Sequence, residues 1–473
     1  MTGNTKEAIK AGTWYTISNV AIKSIGIITA PIFTRLLTTD DYGQVTNFTS
    51  WQAILFVIFG LCADYVTGRA KIDFENTFNQ YLSSIQSFIL IFDIVLFVVL
   101  VPFYQQISIL LEIDPILLFA MCGALIFSTP LNLFQTKLRF EYKYKENVFI
   151  TFSSILGSIL FSLFFIYLTN KEYRADARII GGIIPIMILG TYCFFSIIRK
   201  GAFTIKKEYF SYMFKYALPI IPHGLAMMAL AQIGRIMIVK YDCMSNAGLF
   251  GIGESFATIF FLLTLSIQNA WQPWFFDKMK TQNHREIRLG TNKLTSYIAI
   301  GTILYILVAP EAFKLFTNSP FWDAIWLIPP IALASFYKFL YGYFINIELY
   351  LKKTLYIPIA TILCAIVNII LNLIFLPQYG YMVTAYTALV SYLFLFIFHW
   401  IVYKKIYKKQ VFDGKILFLQ LFICSCFILF ILLIYENITL RYILVAIITG
   451  ITCYINKKSL SAIIKKYTKR FVR

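Results

Sequence analysis

The chain has 473 residues, 59% hydrophobic and 14% charged, with 42 Lys and Arg against 23 Asp and Glu and a net charge of +19. Soluble domains run near about 45–50% apolar and about 25% charged, so this composition excludes a soluble enzyme, a disordered chain and a disulfide-stapled secreted domain. Nucleic-acid binding is not needed to explain the positive charge, because helical membrane proteins collect Lys and Arg in their inward connections.

About 14 apolar stretches approach the roughly 20 residues that cross a bilayer. In chain order the expected spans are 12–33, 44–65, 82–103, 116–135, 147–168, 178–198, 213–237, 248–270, 294–316, 322–345, 355–376, 382–402, 415–435 and 440–456. No connection exceeds roughly 25 residues, which leaves no room for a soluble catalytic domain. Lys6 and Lys10 precede the first stretch with no small-residue cleavage pattern after it, so it reads as a retained span. Placing both termini in the cytoplasm leaves only Arg35, Lys171, Arg174, Arg178, Lys240, Lys314 and Arg441 in outward connections. The expected class is therefore an all-α polytopic protein of the cytoplasmic (inner) membrane.

Spans one to two and seven to eight share a pattern. Arg35-Leu36-Leu37 leads through Asp40-Asp41 to Tyr42-Gly43, and Ile238-Val239-Lys240 through Asp242 and Asn246 to Gly248-Leu249-Phe250. Two copies six spans apart keep the same orientation, which is a parallel repeat. The expected division is a six-helix bundle over 1–205, a second over 206–405, a cleft between them, and two extra helices with a basic tail over 406–473. Pro219, Pro222 and Gly224 should break span seven, and Gly26 and Pro31 should bend span one; Pro185, Pro329-Pro330 and Pro358 punctuate others.

An ionisable side chain at mid-bilayer costs about 2.5–3.5 kcal/mol on insertion scales, so each one is a candidate for function. Thr16, Asn19 and Lys23 share one helical face in span one and suit a cavity lining; pairing of Lys23 with a buried acid is the alternative. Arg235, with Gln232 a turn before it, suits a phosphate or the outer headgroups. Lys338 sits deep in span ten near Tyr337 and Tyr341. Asn368 and Asn372 form a polar stripe open to substrate contact or to helix–helix bonding. The candidate ion-coupling groups are Glu254, Asp64, Asp93 and His223, with Asp64 also placed to pair with Arg69. His399 reads as an interfacial residue without function, and Trp271 to Phe276 as an interfacial anchor. The eight cysteines lack metal-ligand spacing and read as free thiols, and no metal or bound cofactor is expected. No HExxH, GxSxG or phosphate-loop pattern suggests an enzyme.

Four stretches carry a family resemblance. Ala11-Gly12-Thr13-Trp14 and Ser18-Asn19, followed by Pro31-Ile32-Phe33-Thr34-Arg35-Leu36-Leu37-Thr38-Thr39-Asp40-Asp41-Tyr42-Gly43, resemble the Wzx-type polysaccharide flippases of the multidrug/oligosaccharidyl-lipid/polysaccharide exporter superfamily. Leu218 to His223, Ala247 to Ile252 and Trp271-Gln272-Pro273 agree with it. One departure is Gly234-Arg235, where the family often has Asp-Arg, so the Arg carries over and its neighbouring acid does not. The resemblance implies alternating-access transfer of an undecaprenyl-pyrophosphate-linked oligosaccharide from the inner to the outer leaflet, for O-antigen, capsule or exopolysaccharide. It implies Lys23, Arg235 and Lys338 at the pyrophosphate, Thr16, Asn19 and Asn368 at the sugar, and coupling to a proton or sodium gradient. The partners implied are membrane lipids and the polysaccharide polymerase and chain-length proteins, with no nucleic acid. A drug/cation antiporter of the same superfamily is the alternative, and it would want a dominantly acidic cavity. A scaffolding membrane protein would need no buried charge, and a polymerase would need a large outer loop.

Overall fold

The computed structural model describes residues 25–26 and 28–457, all of whose regular elements are helical. Lipid offers backbone groups no hydrogen-bond partner, so spans must satisfy themselves as helices. Thirteen helical units among the described residues are long and apolar enough to cross a membrane. The expected span 12–33 lies mostly outside the described residues; its end is helix α1 (residues 28–36).

The first bundle comprises α2 (Thr39–Phe59), α3 (Ala63–Asp73), α4 (Phe78–Leu100), α5 (Tyr104–Leu111), α6 (Pro115–Phe140), α7 (Tyr144–Leu168) and α8 (Arg174–Gly201). Then come α9 (Lys207–Ala217), α10 (Ile221–Tyr241), α11 (Met244–Ala257), α12 (Ile259–Lys280), α13 (His284–Phe316), α14 (Ile328–Tyr350), α15 (Tyr356–Tyr379) and α16 (Val383–Ile406). Two last helices, α17 (Gly414–Leu433) and α18 (Ile438–Ile455), pack on α13. In the first bundle α8 packs on α4, α6 and α7; in the second, α16 packs on α14 and α15. Helix α2 joins the two, lying against α6 and α8 on one side and α10 and α11 on the other.

The Thr38–Asp41 stretch starts α2 with a reciprocal cap. Asp41 N–H donates to Thr38 Oγ1 at 3.1 Å, and Thr38 N–H donates to Asp41 Oδ2 at 2.8 Å. Gly43, one turn on, faces the start of α11: a methyl added there would overlap the Met244 carbonyl. Gly248, at the matching position of α11, returns the contact, since its added methyl would overlap the Thr39 carbonyl. Ser245 Oγ donates to Thr39 Oγ1 at 2.7 Å across this seam. The repeated sequence pattern is thus a reciprocal helix crossing on the face away from the Lys- and Arg-rich connections.

Both helices that meet across the interface are broken toward the basic face. Between α2 and α3, Leu61 and Cys62 take left-handed φ of 48° and 51°, which side chains enter at a cost. The chain breaks again at Leu218–Ile220, between α9 and α10. Pro219 lies in that gap and Pro222 in the first turn of α10, where a missing N–H costs nothing. A Cβ on Gly224 would stand 3.2 Å from Cys62 Sγ, so the two breaks adjoin. Expected span seven therefore starts within a separate helix: α9 packs on α3 and α4. Tyr212 O–H donates to Asp73 at 2.6 Å, and burial together with this bond pushes its phenol up to about 12.

Pro329-Pro330 fall in the first turn of α14, where a 3-10 helix over Ser319–Leu327 gives way to α-helix within one span-length unit. One further expectation is corrected. Trp271 and Phe275 are not an interfacial anchor: both are buried, their rings stack at 4.7 Å, and Trp271 packs on Tyr343. Helix α12 turns that aromatic face into the second bundle, where burying large rings contributes more than wetting them.

Candidate functional site

The candidate site lies in the second bundle, where α10, α11, α12, α14 and α16 present polar groups to each other. The short turn after Tyr241 folds α11 back along α10, which sets Glu254 beside Arg235. Arg235 Nε donates to Glu254 Oε2 at 2.7 Å, and its terminal nitrogen donates to Gln232 Oε1 at 3.3 Å. Both charged side chains are 22% exposed, so this is a half-buried pair. The acid missing beside Arg235 in sequence is supplied by the next helix. Gly234 has its own reason: a Cβ there would sit 2.7 Å from the Thr384 methyl of α16.

Lys338 differs from Arg235 in having no carboxylate. Its ammonium stands 4.5 Å over the Phe261 ring and 5.4 Å over the Tyr392 ring, and among the described residues it makes no ion pair. Lys338 lines a cavity of about 260 Å³ with Gln268, Asn269, Gln272, Tyr341 and Asn346. Gln272 Nε2 donates to Asn346 Oδ1 at 2.7 Å. A cavity of one unpaired cation, several carboxamides and aromatic faces can take a hydroxyl-rich ligand with negative charge.

The other sequence candidates lie elsewhere. Thr16, Asn19 and Lys23 fall outside the described residues. Asn368 is buried, accepts from Asn372 Nδ2 at 3.2 Å, and Asn372 accepts from Thr387 of α16 at 2.6 Å. That chain of bonds holds the α15–α16 seam, which is the helix-bonding alternative for Asn368. Asp64 does not pair with Arg69: it faces Asn132 and Arg139, while Arg69 bonds Asp73 at 3.2 Å. Asp93 is fully buried in α4 with neither carboxylate oxygen bonded. His223 stands at the α9–α10 break, its Nδ1 buried and without a partner. None of these three pairs with Arg235 or lines the Lys338 cavity.

Two pairings escaped the sequence reading, and they correct His399 as an interfacial residue and Arg441 as an outward loop charge. Glu348 and His399 are 0% and 1% exposed, with Oε1 and Nδ1 2.6 Å apart. Expected span ten stopped at 345, so Glu348 fell outside it, yet α14 runs to Tyr350. Arg441 makes a two-pronged contact with Glu311, one arm at 2.8 Å, and also reaches the Leu307 carbonyl. Arg441 had counted as an outward loop charge; it is 2% exposed and ties α18 to α13.

Comparisons with known proteins bear on the family and the fold. Residues 8–279 match the family described as Polysaccharide biosynthesis protein. An Lsg locus protein of Haemophilus influenzae is 20% identical over 321 residues, covering 64% of this chain and 75% of that one. A second Haemophilus influenzae protein, described as an uncharacterized membrane protein, is 23% identical over 76% of this chain and 88% of its own. Among solved structures, the lipid II flippase MurJ in an inward closed conformation aligns at TM-score 0.66 and 14% identity, covering 96% of this chain and 99% of that one. An inward-facing multidrug resistance transporter of the MATE family aligns at 0.61 and 12% identity, covering 83% and 96%. The fold is that of these transporters, and the chain belongs to the polysaccharide biosynthesis protein family.

Proposed function

We propose that this protein is a flippase that carries a polyprenyl-pyrophosphate-linked oligosaccharide from the cytoplasmic to the outer leaflet of a bacterial inner membrane. The observation that carries the reading is Lys338, a cation without a carboxylate, set in a carboxamide-lined cavity inside a membrane-spanning bundle. Holding a charge without an acid partner inside a membrane span is expensive, and an anionic ligand offsets that cost. The pyrophosphate is that anion, the carboxamides bond sugar hydroxyls, and the prenyl tail stays in lipid. Family membership supports polysaccharide precursors as cargo, and the lipid II flippase likeness supports the fold for such a task. A drug/cation antiporter needs a free acid in its cavity, and here Glu254 is matched by Arg235.

Alternating access follows from the arrangement around α2. The Gly43–Gly248 crossing closes the outer side, and the adjoining breaks at Leu61-Cys62 and Leu218–Ile220 give the inner side its bending points. The chain itself supplies no reaction chemistry in this reading; it moves its substrate unaltered.

The test is leaflet sidedness of lipid-linked oligosaccharide in cells lacking the protein. The expected result is accumulation on the inner leaflet, cleared by wild type and by Lys338→Arg but not by Lys338→Ala, at equal expression. Unchanged sidedness on deletion, in a strain with no second flippase, overturns the proposal.

A further inference from the structure

A separate cavity of about 270 Å³ lies at the outer end of the second bundle. Three stretches meet there: the end of α13, the 3-10 helix Ser319–Leu327 that leads into α14, and the turn between α17 and α18. This is the face away from the Lys- and Arg-rich connections, the side on which the proposed cargo emerges. The cavity shares no lining residue with that of Lys338.

Each stretch brings different chemistry. The 3-10 helix supplies the Trp322 and Trp326 rings and the Asp323 carboxylate, and α13 supplies Lys314. The turn supplies Tyr435 and Glu436, and α18 supplies Arg441. The Lys314 ammonium stands 5.2 Å over the Trp322 ring, and the Trp326 ring packs on Tyr435 at 5.3 Å. Tyr435 and Arg441 are buried, whereas Trp322, Asp323 and Glu436 are exposed. The wall is therefore fixed on its buried side and open on the other. Two polar atoms of the buried side, the Tyr435 hydroxyl and Arg441 Nε, have no hydrogen-bond partner. Buried polar atoms are nearly always bonded, so a joint built for packing alone would not be expected to leave two unmet.

The mixture of groups selects a ligand class. Lys314 and Arg441 are matched by the acids Asp323 and Glu436, so neither sign of simple ion is favoured. Tryptophans at a membrane interface commonly serve as anchors. Here the two indoles share one cavity with donors and acceptors of both charges. Flat apolar faces beside such groups suit a ring that shows C–H on its faces and hydroxyls on its edges, which is a sugar. The volume falls below the about 300–1,000 Å³ of drug-sized sites, so it takes one end of an oligosaccharide and not the whole.

We propose that this cavity is an outer-side saccharide site, which holds the sugar end of the lipid-linked oligosaccharide once it has crossed. This rests on the flippase reading. The tryptophan rings take the sugar face, and Lys314, Asp323 and Glu436 take its hydroxyls. The last two helices thereby acquire a task. The Arg441–Glu311 contact fixes α18 against α13, and so holds the turn that closes the cavity.

The probe is the oligosaccharide freed by mild acid from the lipid-linked pool of cells that lack the protein. Its binding to the detergent-purified full chain is measured by saturation-transfer NMR titration. The probe has lost its pyrophosphate, so Lys338→Ala should bind it as wild type does. Trp322→Ala should weaken binding by about tenfold. Asp323→Asn with Glu436→Gln should weaken it too, and these near-isosteric changes at exposed positions stand in if Trp322→Ala fails to fold. Equal binding by wild type and the outer variants overturns the site, as does a folded wild type that binds no sugar; both leave the flippase reading standing. Loss of binding in Lys338→Ala alone places the sugar in the deeper cavity and overturns the outer site. A deletion strain that accumulates no lipid-linked pool overturns the flippase reading and this inference with it.

Discussion

Arg235 and Lys338 show how a positive charge can take two roles inside a membrane. Arg235 is bound to Glu254 at 2.7 Å and holds α10 to α11; Lys338 stands over π faces in a carboxamide-lined cavity and, among the described residues, makes no ion pair. Removing one member of a desolvated pair strands the other, whereas removing both is cheaper. Arg235→Gln should therefore lower the melting temperature in detergent, and Arg235→Gln with Glu254→Gln should recover much of it. A double-mutant cycle should report a coupling of about 0.5–3 kcal/mol, and additive effects would show the pair to be idle. Lys338→Ala should behave in the opposite way, costing little stability and abolishing clearance of the inner-leaflet intermediate. The sequence marked both residues by their place in apolar runs. It gave no sign of which was paired, because Glu254 is 19 positions from Arg235 and only the fold of α11 along α10 joins them.

At the scale of elements, the outer seam and the last helix make separate claims. Gly43 and Gly248 let two helix starts touch backbone to backbone, and each is denied space for a methyl by the opposite carbonyl. Overpacking of this kind costs about 1–3 kcal/mol. Gly43→Ala or Gly248→Ala should thus shift the population toward an open outer side by roughly tenfold. An externally added thiol reagent, reacting with a cysteine placed at Thr46, should label these variants faster than the parent; equal labelling would locate the gate elsewhere. Helix α18 makes its principal packing contact with α13, and Arg441 is what fixes it there. Arg441→Gln should weaken the attachment by about 1–3 kcal/mol, since it removes charge-assisted hydrogen bonds while the Glu311 left behind is still partly exposed. A disulfide engineered between α13 and α18 should form less completely in that variant. The short repeat near Asp40-Asp41 and Asp242 was legible in sequence. Its meaning was not, since a glycine that permits close approach looks the same as one in any turn.

For the whole molecule, the apolar content and the alternation of basic connections were enough to give the spans, and the described helices match thirteen of them closely. This follows from a one-dimensional constraint: lipid demands roughly 20 apolar residues per crossing, and that demand is written along the chain. The N-terminal motif pointed to the polysaccharide exporter family before any contact was known, and residues 8–279 bear it out. What depended on three dimensions was which polar groups meet. The sequence by itself could not separate Asn368 as a seam residue from a cavity residue, or pair Asp73 instead of Asp64 with Arg69. It could not bring Glu348 to His399 across 51 positions, nor turn Trp271 and Phe275 inward. Hydrophobicity fixes which segments enter the membrane, because each helix meets lipid on its own account. It leaves open which face each helix turns to its neighbours. Helix–helix packing and buried hydrogen bonds decide that only after the spans have assembled.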